Sequence, residues 1–309
     1  MKFVTTSDSF GLLDSSGSRI IDLNDISMGT IPNNMYDFLA DFNENIKKTK
    51  TILNDLDLDE IEYKPILNIL SPLNKVNSFR DAYAFRQHVE AGRRNRGLEM
   101  IPEYDEFPVF YFSNPNSIIG PGDIFLEKEY FKKLDFELEI AVIISKKGKN
   151  ISKSEALDYI AGFTIMNDWS ERYIQMKEMK LNLGPAKGKD FGTSIGPYLV
   201  TPNELDDVKI ESDDGERYNL QMKAYINDSL VSEDNFKNMT WTFAQIIERA
   251  SFGTELYPGD IIGSGTCATG CFLELNQGKS NSKWLKEGDT VRLEIDRLGS
   301  LSNKICLAG

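Results

Sequence analysis

His88, the one histidine in 309 residues, lies in NSFRDAYAFRQHVEAG (77–92), seven positions after Asp81. Imidazole is the side chain whose reference pKa of ~6.5 suits proton transfer near neutral pH. A lone histidine is therefore either the chain's base or a packing residue. The segment reads as helix, and seven residues is nearly two turns, which puts Asp81 and His88 on one face about 10 Å apart. Asp81 also has a plainer reading, because Ser78 and Asp81 spell the S-x-x-D of a capping box.

Three more carboxylates stand out. In KLDFELEIAVII, Asp135, Glu137 and Glu139 alternate with apolar residues, so Glu137 and Glu139 share one strand face about 7 Å apart. An edge strand with its acidic face in water would account for them. The AVII that follows instead carries the strand into a core, where two ionised carboxylates need a cation or a proton. Asp168, in IMNDWSERYIQ, follows an apolar run and opens a predicted helix with Arg172 at i+4 and Gln175 at i+7. Helix capping is its plainer role. Together Asp81, Glu137, Glu139 and Asp168 form an oxygen-only ligand set, which suits Mg, Ca or Mn rather than Zn or Cu.

These residues need elements to position them. Predicted helices fall at about 35–53, 79–91, 153–161, 168–178 and 241–250. Elsewhere GPGDIFLE, YPGDIIGSG and KEGDTVRLEID each place a Gly-Asp turn ahead of an apolar or β-branched run, a common entry into a strand. The expected class is mostly β (α+β). A small N-terminal domain over 1–72, opening with short strands, precedes a larger domain over 73–309.

Composition narrows the function. With 35 basic and 48 acidic residues the net charge is −13, which repels nucleic acid and anionic membrane surfaces. The arginines of GRRNRG (Arg93, Arg94, Arg96) more plausibly balance an acidic site or a substrate carboxylate. The N-terminus has no signal-peptide core and no stretch approaches ~18 apolar residues, so a cytoplasmic protein is expected. Cys267, Cys271 and Cys306 form no CxxC pair and read as reduced thiols.

In order along the chain, RDAYAFRQH, DFELEIA, MNDWSERYIQ, GPAKGKDFGTSIGP, GSGT and CFLEL resemble the motifs of the fumarylacetoacetate hydrolase family, in its bacterial and archaeal form with a short N-terminal domain. The resemblance covers about residues 77–275. It implies a small SH3-like N-terminal barrel followed by a mixed β-sandwich roll, usually dimeric. It also implies that Asp81, Glu137, Glu139 and Asp168 hold one divalent cation, magnesium first, with calcium or manganese as alternatives. His88 aligns with the catalytic histidine and Glu274 with the glutamate that orients it. Arg172, Gln175 and Lys189 align with oxyanion-stabilising residues, and Tyr111 and Thr266 with substrate contacts. Arg96 aligns less cleanly and is a candidate ligand for a substrate carboxylate. In the smallest members the histidine's partner is a glutamate shortly after it; here Glu90, two residues on, points away on a helix, which favours Glu274.

The chemistry these residues suit is hydrolysis of a carbon–carbon bond in a β-diketo acid, such as an acylpyruvate or a fumarylacetoacetate-like compound. The leaving fragment departs as an enolate, which a divalent cation would stabilise as a Lewis acid. His88 would activate water, Glu274 would fix its tautomer, and Arg172, Gln175 and Lys189 would meet the oxyanion. Dehydration of a 2-keto-3-deoxy sugar acid and decarboxylation of a 2-oxo acid also proceed through an enolate and remain alternatives. A non-catalytic, metal-stabilised binding domain is the reading from another class.

Overall fold

Two packed sheets carry the chain in a computed structural model that describes residues 1–57 and 61–309. Among the described residues the larger sheet has eleven strands. At its centre is Leu138–Ile144, with Ile160–Asp168 on one side and Ile261–Gly263 on the other. Phe79–Ala82 pairs with Ile261–Gly263, and Phe110–Ser113 pairs with Phe79–Ala82. Every residue of Leu138–Ile144 and Ile160–Asp168 is buried, which is why LEIAVII and IAGFTIM read as near-continuous apolar runs. The pleat divides them: Ile140, Val142 and Ile144 enter one apolar cluster, Ala141 and Ile143 another.

The smaller sheet has five strands, Gly122–Leu126, Gln221–Ile226, Ser229–Asn235, Thr290–Ile295 and Gly299–Leu307. Its Met222, Ala224, Leu293, Leu301 and Ile305 share the first cluster with the large sheet. Two of the Gly-Asp turns lead into the strands Ile261–Gly263 and Thr290–Ile295, while the third pair, Gly122–Asp123, forms the first residues of Gly122–Leu126.

The N-terminal strands extend the large sheet. Lys2–Thr5 pairs antiparallel with Thr193–Val200, placing Phe3 opposite Leu199. Phe10–Leu13, Arg19–Asp22 and Lys64–Pro65 follow in order outward. The segment thus continues an open sheet, and the SH3-like barrel implied by the resemblance is not closed among the described residues. The helix predicted over 35–53 is two helices, Met35–Ala40 and Phe42–Asp55, broken at Asp41, whose φ of −137° and ψ of 55° are not helical.

Other predicted helices are shorter, because strand pairing takes residues from them. Residues 79–82 are strand, paired on both sides, and the helix is Arg86–Asn95. The Ser78–Asp81 capping box is absent. Over 153–161 only a 3-10 turn, Ala156–Tyr159, forms before the chain enters the Ile160–Asp168 strand. Asp168 ends that strand opposite Thr193, and the helix starts at Arg172. The helix at 241–250 is Phe243–Ser251, held by a capping box between Thr242 and Gln245. Among the described residues no helix is long and apolar enough to cross a membrane. All three cysteines are free thiols.

Candidate active site

Strand direction brings the carboxylates together. Leu138–Ile144 and Ile160–Asp168 are antiparallel, so the start of the first and the end of the second lie at one end of the sheet. Phe79–Ala82 runs parallel to Ile261–Gly263, which is antiparallel to Leu138–Ile144, and its end reaches the same place. Glu139, Asp168 and Asp81 therefore continue the face occupied by Ala141, Met166 and Phe79 just where its apolar side chains stop. Glu137, in the link between Leu134–Asp135 and Leu138–Ile144, joins them through an N–H bond to the Asn167 side-chain carbonyl at 2.9 Å.

All four carboxylates are buried. Oxygens of Asp81, Glu137 and Asp168 lie within 4.8 Å of one another. Asp81 accepts from the Gly265 N–H at 3.1 Å, and Thr266 donates to Glu139 Oε1 at 3.2 Å. Asp168 accepts from the Tyr111 hydroxyl, and from Thr193 at 3.2 Å. Glu139 Oε2 is buried with no hydrogen-bond partner among the described residues.

Two cations serve this cluster. Lys189 Nζ donates to Glu137 and, at 2.8 Å, to Asp168. Arg172 donates from Nη2 to Glu137 at 2.7 Å, from Nε to Asp135 at 2.8 Å and from Nη1 to Gln175 at 2.9 Å. Four buried carboxylates against these two cations leave the site short of positive charge. Burial, reinforced by the neighbouring Asp168, pushes the Asp81 carboxyl up to about 8. Burial also raises Glu139, with the charges of Asp81 and Glu137 adding to it, and raises Asp168 despite Lys189. For Glu137 burial acts the same way, but Lys189 and Arg172 outweigh it and hold the group below its ordinary value. An orphaned carboxylate oxygen among converging oxygen donors that retain protons for want of charge is a fit for one hard divalent cation.

Lys189 comes from a loop the sequence fixes tightly. Glu178 accepts the N–H groups of Ala186, Lys187 and Gly188 at 2.8–3.1 Å. A Cβ on Gly188 would lie 2.7 Å from the Gln175 nitrogen, so glycine alone permits the loop to pack there. Gly263 serves Asp81 in the same way, since a Cβ would sit 2.4 Å from its Oδ1.

His88, buried in the first turns of Arg86–Asn95, presents Nδ1 to Glu274 Oε1. Glu274 Oε2 takes the Thr269 N–H at 3.1 Å. Glu90 is occupied elsewhere, accepting from Arg86 at 3.0 Å. The ring of Tyr83 meets the imidazole edge-on at 5.5 Å. His88, Asp81, Glu137 and Glu139 line one cavity of about 310 Å³, with Arg96, Gln175, Tyr111, Thr266 and Met176 also in its wall; Asp168 sits behind it, bonded to Tyr111 and Lys189. Arg96 Nε donates to the Gly92 carbonyl at 3.1 Å.

All twelve residues singled out from sequence thus lie at or beside one cavity, with the scaffolding changed. Asp81 and His88 do not share a helix face: strand pairing holds the first and the helix begins after it. Asp168 stands outside the helix of Arg172 and Gln175. Tyr111 and Thr266, expected at substrate, bond to Asp168 and Glu139. Sequence reasoning gave no role to Asp135 or Tyr83. The signal for Asp135 was its place in the alternating Asp135, Glu137, Glu139 series.

The family model described as "Fumarylacetoacetate (FAA) hydrolase C-terminal" matches residues 77–306. The chain belongs to the fumarylacetoacetate hydrolase family. A relative in the family, the fumarylacetoacetate hydrolase domain-containing protein 2 homolog of Dictyostelium discoideum, is 32% identical over 284 residues, covering 89% of this chain and 86% of that protein. The mitochondrial oxaloacetate tautomerase fahd2 of Xenopus laevis is 30% identical over 296 residues, 96% of this chain and 85% of its own. The fold is shared with maleylpyruvate hydrolase from Sphingobium sp. SYK-6, solved in complex with manganese(II) and pyruvate, at a TM-score of 0.73, 19% identity and full coverage of both chains. Enzymes of this fumarylacetoacetate hydrolase family include hydrolases and tautomerases, so membership gives the scaffold and leaves the reaction to the site.

Proposed function

We propose that this chain is a divalent-metal-dependent hydrolase that cleaves a carbon–carbon bond in a small anionic β-diketo acid, such as an acylpyruvate or a fumarylacetoacetate-like compound. The observation that supports it is one cavity lined by His88, the partner of Glu274, and by Asp81, Glu137 and Glu139 of a buried carboxylate cluster short of positive charge.

Held by Asp81, Glu137, Glu139 and Asp168, a divalent cation, magnesium first and manganese or calcium as alternatives, would supply Lewis-acid stabilisation of charge developing on substrate oxygens. The fold's manganese complex is in keeping with this. His88, its Nδ1 committed to Glu274, keeps Nε2 free to take a proton from water. Glu274 stabilises the resulting imidazolium. Hydroxide adds to the carbonyl, and the Gln175 amide and the remaining donors of Arg172 and Lys189 meet the oxyanion. The bond to the carbon between the carbonyls then breaks, and that carbon takes the proton back from His88. Arg96 pairs with the substrate's terminal carboxylate, and Tyr111 and Thr266 border the bound acid.

A second reading, keto–enol tautomerisation of oxaloacetate, draws on the relative so named that matches 96% of this chain. It uses the same His88 to move a proton between carbon and oxygen and needs no water. The two separate on products: with Mg2+ or Mn2+, an acylpyruvate should give pyruvate and the free acid in equal amounts. Interconversion of oxaloacetate tautomers without acylpyruvate cleavage would select the second reading. Activity on neither, with metal bound, would overturn both.

The same reading takes the chain to be a cytoplasmic homodimer without nucleic-acid or membrane partners. It divides the chain near residue 72, in keeping with a family match that begins at 77. Light scattering on the purified protein tests the dimer.

A further inference from the structure

Asp135 is fully buried, and both its oxygens are taken by donors. Oδ2 accepts from Arg172 Nε at 2.8 Å and from the Leu273 N–H at 3.0 Å. Oδ1 accepts from the Phe272 N–H at 2.7 Å and the Phe136 N–H at 3.0 Å. Phe272 and Leu273 open the Phe272–Leu275 helix, whose own N-cap residue, Cys271, makes no side-chain cap bond. The first N–H groups of a helix need acceptors from outside it. Asp135 supplies them from 137 positions away. The next residue of that helix is Glu274, which meets His88. The Arg172 held by Asp135 reaches Glu137 through its other nitrogen.

We propose that Asp135 is a positioning residue that registers the His88–Glu274 pair against the carboxylate cluster. One buried anion clamps the start of the short helix that carries Glu274 and the guanidinium that holds Glu137. With its oxygens saturated by N–H donors, one of them the Arg172 guanidinium, it has no lone pair left for a metal ion, so its action is indirect. The inference rests on the reading of His88 as the base.

The test uses the single histidine, whose imidazole resonances need no assignment by mutation. In Mg2+-loaded wild type, 15N spectra should show one tautomer, with the proton on Nδ1 facing Glu274. Asp135→Asn keeps the shape but not the charge. It should give a mixture of tautomers, lower kcat about 10–100-fold and leave Mg2+ affinity and KM within about 3-fold. In a Glu274→Gln background the same change should cost no more than about 3-fold, because both act through one pair. An unchanged His88 tautomer in Asp135→Asn, or an equal loss of kcat in both backgrounds, would overturn the proposal. If Asp135→Asn does not fold, Asp135→Ser, which keeps one acceptor without charge, reads the same tautomer signal. The NMR result is independent of turnover. A pinned wild-type tautomer released in the variant, without hydrolysis or tautomerisation by either protein, would retain the positioning role and overturn the proposed reactions instead.

Discussion

His88 Nδ1 and the carboxylate of Glu274 meet across 186 positions of chain, and the second Glu274 oxygen is anchored by the Thr269 N–H at 3.1 Å. A carboxylate at Nδ1 favours the tautomer protonated there, which leaves Nε2 as the nitrogen able to accept a proton. Glu274→Gln removes the charge that stabilises an imidazolium while keeping the side chain's shape. It should lower kcat by about 100-fold, within the range for general-base catalysis, and leave Mn2+ affinity unchanged. Steady-state kinetics beside calorimetric metal titration checks this, and a loss confined to metal affinity would contradict it.

Protons and the cation compete for one cluster. The Asp81 carboxyl ionises at its ordinary 3.8 when unfolded, but burial and Asp168 push it up to about 8 in the fold. Between those values the folded chain binds more protons than the unfolded chain, so this group makes the metal-free protein lose stability as pH rises. Glu139 and Asp168 are raised and act in the same direction. A cation in place of the protons removes the penalty. The Tm increment given by saturating Mg2+ should therefore grow from pH 6 to pH 8.5. Thermal melts in matched buffers would show it, and an increment that is flat or falls with pH would rule it out.

Lys189 is buried between Glu137 and Asp168. Lys189→Met leaves those carboxylates without their nearest cation, a loss of about 3–5 kcal/mol for a broken buried pair. Urea unfolding of the metal-free variant should show most of it, and Mg2+ should restore more stability to the variant than to wild type. Equal restoration in both proteins would argue against a cation sharing the cluster with Lys189.

Gly188→Ala tests the lysine loop without touching a charged group. The new Cβ meets the Gln175 backbone at 2.7 Å, so the loop must shift, at a cost of about 1–3 kcal/mol for such overpacking. We expect kcat to fall with the displacement of Lys189; Gly184→Ala, where a Cβ meets nothing within 4 Å but φ is +98°, strains the same loop without crowding Gln175. A larger loss of kcat in Gly188→Ala than in Gly184→Ala separates crowding against Gln175 from backbone strain in the loop, and an equal loss would contradict the role given to that contact.

How far the sequence reached differs from residue to residue. The carboxylate set was legible because charges beside LEIAVII and IAGFTIM sit where apolar runs demand a cation, and those runs are buried on both faces. What carries Asp81 was not. Its strand is four residues long and exists through pairing with Ile261–Gly263 and Phe110–Ser113, contacts far apart in sequence. Local periodicity saw only the helix that follows. The start of the Arg172 helix was misjudged for the same reason, since the ladder to Thr193 claims Asp168. The absent barrel closure follows from Lys2–Thr5 pairing with Thr193–Val200, a partner nearly two hundred residues away. The long reach of Asp135 to the helix at 272 has no local signature at all.

The measurement closest to the central claim follows the enol absorbance of an acylpyruvate with Mg2+, with chelator, and with His88→Ala. The account predicts metal-dependent loss of absorbance with pyruvate and the free acid as products, abolished by chelator and by the substitution. Turnover that persists in His88→Ala, or that ignores the chelator, would contradict it.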